Sequence, residues 1–300
     1  MIVKDESAII ARCLGRLKPF LDRWVVVDTG STDRTVEIVG DTLRSLPGRL
    51  VTRPWKGFGD AKTAALQLAR EEMGGRGYAL VMDADEFIDG EIPRALTHEA
   101  YAMWMQVNTV RYHGLRLLRL DRNWRYEGVL HEFATCDQPW THDLLDQVTI
   151  RTTRDGARSA SLTKYADDAR VLEAACRDLK ERDPMLGRYT FYLAQSYRDS
   201  GDDRRAATAY LLRAAMPPGL CYEEIYVSLL EAARAFRRLG EHVSADVTFV
   251  RAHHAWPQRQ EALRELSYAF GERLKTSEPT GTLFVESPFS ETVTTSTREP

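Results

Sequence analysis

The sequence predicts an α/β domain with a mostly parallel sheet over residues 1–165, followed by an all-helical domain over 166–274. Three observations carry that division. Short, fully apolar runs such as Trp24-Val25-Val26-Val27 alternate with helix-patterned segments in the first half, as in sheets covered on both faces. The second half is helix-patterned throughout and repeats itself. After about Lys275 the chain turns to Ser, Thr, Pro and Glu with little to bury, so residues 275–300 are expected to form a disordered tail.

Ile2-Val3 reads as the first strand, followed by a helix from about Ser7 to Leu17 with Ile9, Ile10, Cys13, Leu14 and Leu17 on one stripe. The Trp24–Val27 strand ends in Asp28-Thr29-Gly30-Ser31-Thr32-Asp33, a turn able to cap a helix beginning near Arg34. Leu50–Thr52 is a further short strand, and Asp60–Met73 a helix closed by Gly74-Gly75. Tyr78–Met82 is a third buried-type strand running straight into Asp83-Ala84-Asp85-Glu86. Right-handed parallel α/β sheets bind ligands beyond the carboxyl ends of their strands, where both acidic turns fall. Alternation over Met103–Val110 and Leu115–Leu120 predicts strands of a mixed edge.

In the helical half, Tyr197, Gly201, Ala206, Tyr210 and Pro218 recur as Phe236, Gly240, Ala245, Phe249 and Pro257, each pair 39 residues apart. The order of small, aromatic, Gly and Pro residues fits the tetratricopeptide pattern of about 34 residues, with an insertion placed around Pro217-Pro218-Gly219. Helices at 167–182 and 259–272 are expected to cap the stack.

A net charge of −3, from 41 basic and 44 acidic residues, argues against an extended polyanion footprint. Cys13, Cys136, Cys176 and Cys221 lie scattered with no CxxC pair, which argues against a disulfide framework or a zinc site. No run of about 18 apolar residues exists. A cytoplasmic, membrane-free setting is the expectation.

The chemistry-bearing residues cluster in short motifs. A D-x-D turn after a buried strand presents two hard oxygen ligands, Asp83 and Asp85, with Ala84 leaving room between them; one or two carboxylates plus substrate phosphates suffice for Mg²⁺ or Mn²⁺. A lone D-x-D is as well read as a solvated acidic turn, but the strand before it and the matching Asp28 turn favour a ligand site. Asp28 is placed to accept hydrogen bonds from a nucleoside, whereas Asp33 is read as a helix cap. Lys4, Asp5 and Glu6 flank the end of the first strand, and Lys62 opens a helix that faces a diphosphate. In His131-Glu132, the imidazole suits a metal and the carboxylate suits a general base.

Met1–Glu6, Val27–Asp33, Met82–Glu86 and Gly128–Glu132 together resemble family 2 glycosyltransferases. The resemblance is to the branch with C-terminal tetratricopeptide repeats, similar to the bacteriocin S-glycosyltransferases and related phage or bacterial enzymes. It covers roughly residues 1–165, with the repeats over most of 167–272. It implies a GT-A fold, an inverting reaction and a uridine or similar diphosphate-sugar donor, with Mn²⁺ or Mg²⁺ as cofactor. Nucleotide-sugar contacts are then expected from Val3, Asp5, Glu6, Asp28, Lys62, Asp83 and Ala84. Metal contacts fall to Asp83, Asp85 and His131, and base catalysis to Glu132, with Asp155 of Arg154-Asp155-Gly156 as rival. Two departures stand out: relatives usually carry several more residues before the Met-Ile-Val segment, so either a shortened first strand or an internal start is expected, and they often show Ala-Arg-Asn where this chain has Ala61-Lys62-Thr63.

The leading expectation is transfer to a protein or peptide side chain, with the concave face of a repeat stack as acceptor platform and as a route to a homo-oligomer. Modification of a hydroxylated base in phage DNA is the alternative, using Arg116, Arg119, Arg122 and Arg125 as a basic groove. A repeat scaffold with an inactive transferase domain is a third, against which intact Asp28, Asp83 and Asp85 weigh.

Overall fold

The computed structural model describes residues 1–158, 161, 163–218 and 222–276. The predicted order, an α/β domain and then stacked helices, is the order found. The α/β part opens with β1 (Ile2–Val3), α1 (Ile10–Leu17), β2 (Trp24–Asp28), α2 (Thr35–Leu43), β3 (Gly48–Thr52) and α3 (Phe58–Met73). The three strands form a parallel sheet in the order β1-β2-β3. α3 ends where Gly74 adopts φ 58°, a left-handed cap that Gly takes without strain.

A second sheet follows, built from β4 (Tyr78–Leu80), β5 (Glu86–Asp89), β6 (Ala100–Val107), β7 (Val110–Arg119) and, after the hairpin β8 (Arg125–Glu127) and β9 (Phe133–Thr135), β10 (His142–Thr152). Its order is β4-β7-β6-β10-β5, with β6 and β10 parallel and the other pairs antiparallel. Here the structure corrects the sequence reading. Tyr78–Met82 is not a third strand of the parallel sheet: only Tyr78–Leu80 is extended, and it pairs antiparallel with Leu117–Arg119. The ten-residue β7 supplies the pairing edge, while the two-residue β1 bonds only to β2. A cavity of about 760 Å³ lies between the two sheets, lined by Met1, Ile2, Trp24 and Tyr78–Asp83.

The helix α1 joins the two cores. Ile10 and Leu14 pack with Val3, Val26, Val39 and Leu43, whereas Cys13 and Leu17 pack with Met82, Met103, Met105 and Ile150. The acidic run is threaded between the same cores, since Met82 enters one and Ala84 the other.

Six helices complete the described chain: α4 (Lys164–Asp178), α5 (Pro184–Asp199), α6 (Asp203–Ala215), α7 (Glu223–Arg238), α8 (His242–Ala255) and α9 (Glu261–Thr276). The pair α7/α8 repeats α5/α6 with the starts of both helices displaced by the same 39 residues. The repeated residues are the packing positions. Ala206 and Ala245 are buried, as are Tyr210 and Phe249, and Gly201 and Gly240 both hold left-handed φ at the turn between helices. α9 runs to Thr276, past the expected start of the tail, and residues 277–300 lie outside the described residues. So does Gly219 at the predicted insertion.

At that insertion Arg213 is fully buried, donating to the carbonyls of Pro217 and Pro218 and to Glu224 at 2.9 Å. Replacing it strands Glu224 and two carbonyls in the interior. Arg213→Met is therefore expected to cost about 3–5 kcal/mol in urea unfolding, and a loss below about 1 kcal/mol would contradict the buried pair as the closure of this loop.

Candidate functional site

In the acidic run Met82, Ala84 and Glu86 are buried, whereas Asp83 and Asp85 are half-buried. Glu86 meets Arg116 at 2.7 Å and its carboxylate accepts the Asp83 backbone N–H, which fixes the turn from beneath. Burial pushes the Glu86 carboxyl up to about 7, with Arg116 acting against that rise.

Above the turn stands Lys62, in the second turn of α3. Its Nζ lies 2.6 Å from Glu132 and 3.7 Å from Asp83, with 15% of its side chain exposed. Burial alone would discharge it, but the two carboxylates outweigh burial and hold its affinity for the proton above the ordinary lysine value. The Asp83 carboxyl likewise lies below its ordinary value: burial works the other way, and Lys62 and Arg116 overcome it. Asp85 moves in the opposite direction, raised by burial and then by Asp83. Glu6 is raised by burial and by the neighbouring acids Asp85, Asp33 and Asp155.

The structure brings Lys62, Asp83 and Glu132 together, with Asp85 and Glu6 beside them. The His131 ring stacks on Tyr192 of α5 at 3.7 Å, and burial lowers it to about 4, so it is neutral near pH 7. Among the described residues no group of three or more His, Cys, Asp or Glu side chains is gathered as a metal cage. Asp83 and Asp85 still suit a hard cation of the kind that takes one or two carboxylates and completes its shell with phosphate and water. The crowding that raises Asp85 is what such a cation relieves.

On the strand side, Val3 is buried and its carbonyl accepts from Thr29, so only its backbone faces the site. Asp5, at φ 55°, accepts from the Thr32 N–H. The Asp28 carboxylate, 2% exposed as a residue, accepts from the N–H groups of Gly30 and Ser31 and thereby shapes its own turn. Asp33 accepts from the Ser7 N–H, and from the N–H and hydroxyl of Thr35 at the start of α2, whose N-cap is Arg34. Asp155 is held by Arg12 at 2.7 Å and by Thr153, which together keep its proton affinity low.

Sequence reasoning missed the Lys62–Glu132 pair, because a separation of 70 positions gives it no local signature. It also missed Arg116 beneath the turn and Tyr192 behind His131. The four arginines proposed for a nucleic-acid groove are each engaged by carboxylates: Arg116 by Glu86, Arg119 and Arg122 by Glu99 and Asp121, and Arg125 by Glu127 and Asp137.

Removing the Lys62 ammonium leaves Glu132 and Asp83 facing each other uncompensated. Lys62→Met is expected to lose about 3 kcal/mol of stability near pH 7. Asp83 titrates below its unfolded value of 3.8, so its stabilising contribution is present above that pH and disappears as pH falls through the folded value. The deficit of the variant, read by urea unfolding, should therefore hold from about pH 7 to about pH 4 and shrink as the pH falls further. A deficit independent of pH would refute the pairing as its cause.

Residues 1–98 match the family model Glycosyl transferase family 2. An uncharacterized glycosyltransferase of Rickettsia felis is 30% identical over 138 residues, 45% of this chain and 44% of its own length. Another, from Rickettsia bellii, is 32% identical over 125 residues, 41% of this chain and 38% of its own. A TPR repeat-containing protein of Synechococcus elongatus is 31% identical over 146 residues, 45% of this chain and 34% of its own. The chain thus spans less than half the length of these curated relatives. The solved structure of S. aureus TarS 1–349 in complex with UDP-GlcNAc covers 91% of this chain and 90% of that one, at 13% identity and a TM-score of 0.37. The strand-end acids Asp28, Asp83 and Asp85 all fall within residues 1–98, the stretch that is similar to the glycosyl transferase family 2 model, and that stretch is set ahead of a stack of helices.

Proposed function

We propose that the protein is an inverting, metal-dependent glycosyltransferase that moves a sugar from a nucleotide diphosphate donor, a UDP-sugar, to a protein or peptide side chain. The observation that carries this reading is Glu132, 2.6 Å from a charged Lys62 and across from the Asp83–Asp85 turn. Inversion requires a base on the face of the sugar opposite the leaving diphosphate. Glu132 takes the proton of the acceptor as the acceptor atom bonds to the anomeric carbon, while the bond from that carbon to the diphosphate oxygen breaks. Lys62 orients the Glu132 carboxylate and adds positive charge beside the departing phosphates. A divalent cation on Asp83 and Asp85, when bound, supplies Lewis-acid neutralisation of the diphosphate. The turn shaped by Asp28, with Val3 and Asp5, borders the nucleoside side of the site, and the uridine assignment follows the family 2 resemblance. The helical stack supports a peptide acceptor because stacked helix pairs offer an extended surface.

A thermal-shift screen of UDP-, GDP- and dTDP-sugars with Mn²⁺ tests the reading. A donor at 100 times its dissociation constant adds about 2.7 kcal/mol of stability. A UDP-sugar is expected to give that gain in the native chain, and Asp85→Ala to lose most of it. Glu132→Gln is expected to keep the gain while turnover, followed as nucleotide release, drops about 10²–10⁴-fold. Absence of stabilisation by every donor would overturn the proposal.

A further inference from the structure

The segment Gly128–Phe133, which carries Glu132, is clamped from two sides. On the α/β side its contacts are Lys62, at 2.6 Å from Glu132, and the close approach of Gly128 to Gly59, where an added Cβ would meet the Gly128 carbonyl at 2.9 Å. On the other side stands α5. Arg188 donates to the His131 carbonyl at 2.7 Å, and the Val129 N–H donates to the Tyr189 hydroxyl at 3.1 Å. Tyr192 stacks on the His131 ring at 3.7 Å with 5° between planes. Leu130 is buried against Tyr189 of α5 and Leu172 of α4. Between these anchors His131 is held at φ 52°, a backbone region that residues with a Cβ seldom adopt without outside support. Arg188, Tyr189 and Tyr192 lie on adjoining positions of one helix face, so a single rigid element fixes three consecutive residues before the base.

We propose that α5 is the positioning element for Glu132, with Arg188, Tyr189 and Tyr192 as positioning residues of the transfer step. The helical stack then forms one wall of the reacting centre, in addition to any acceptor surface it presents. The proposal rests on Glu132 being the base. Its chemical logic is that general-base transfer is steeply sensitive to placement, so displacement of the carboxylate by about 1 Å costs up to roughly 100-fold in rate. Donor binding, which draws on the strand-end residues, should be left alone.

The test uses the full chain and the nucleotide sugar it turns over fastest in the screen above. Tyr192→Leu is expected to lower kcat by about 10- to 100-fold, with KM for the nucleotide sugar within about twofold of native. Hydrogen exchange of the amides in 128–133 should accelerate in the same variant. Tyr192→Phe, which keeps the stacked ring, should restore both. The double variant Tyr192→Leu/Glu132→Gln should be no slower than Glu132→Gln alone, as expected for residues acting through one group. Phe249→Leu, in the buried core of α7 and α8, controls for general loosening of the helices. Native kcat in Tyr192→Leu with an inactive Glu132→Gln would overturn the positioning role and leave the base assignment standing. A parallel fall in Phe249→Leu would overturn it as well, since loosening alone would then explain the loss. Native turnover in Glu132→Gln would remove the base assignment and this inference together.

Discussion

The site is organised by one ammonium group held away from water. Taking a lysine charge out of solvent costs several kcal/mol, and that cost is offset only where carboxylates stand within contact distance in good geometry. Lys62 meets the condition with Glu132 at 2.6 Å and Asp83 at 3.7 Å. Three pieces of chain far apart in sequence are thereby fixed to each other: the start of α3, the turn after β4 and the segment between β8 and β9. The approach also depends on what is missing at Gly59, since any side chain there would push the Gly128 carbonyl away and open the pair. Thr63, on the next position of α3, accepts the Tyr126 N–H at 2.8 Å and holds the hairpin at the same height. The Lys-Thr pair that stands in place of Arg-Asn thus serves this docking.

Much of the fold was legible because the relevant signals are local. Apolar runs with no charge become buried strands, and the stripe of Ile10, Cys13, Leu14 and Leu17 becomes the buried face of α1. The offset of 39 residues is repeated in the structure because each repeated residue occupies a packing or turn position whose demands are the same in both helix pairs. The Asp83/Asp85 spacing was legible because the whole motif lies within three residues of chain.

The rest was decided by partners that a linear pattern does not name. Whether Tyr78–Leu80 extends the parallel sheet or turns to β7 depends on which edge offers more ladder hydrogen bonds, and β1 offers only two residues. Asp28 was read as a ligand because of where its strand ends, yet burial and the N–H groups of Gly30 and Ser31 engage its carboxylate in shaping the turn. Glu132 was the expected base and Asp155 its rival. What separates them is that Arg12 holds the first at the surface, while the second reaches a buried lysine. The part played by α5 was hidden most deeply, since helix periodicity shows which face of a helix is buried but not against what.

The charge balance around the turn has a further consequence. Lys62 is engaged by Glu132 and Asp83, Arg116 by Glu86, and Arg12 by Asp155. Asp85 and Glu6 are left with raised proton affinities next to one another and to these neutralised pairs, an arrangement that folding alone does not favour. Gly156 lets the chain close over both, because a Cβ there would come within 3.3 Å of the Glu6 carboxylate and 3.7 Å of Asp85. Replacing either acid by its amide would lessen the repulsion, so stability alone gives no reason to keep both ionisable. A ligand carrying positive charge does, because its binding energy is increased by the repulsion it removes. The same repulsion would strengthen the binding of any cation that neutralises it.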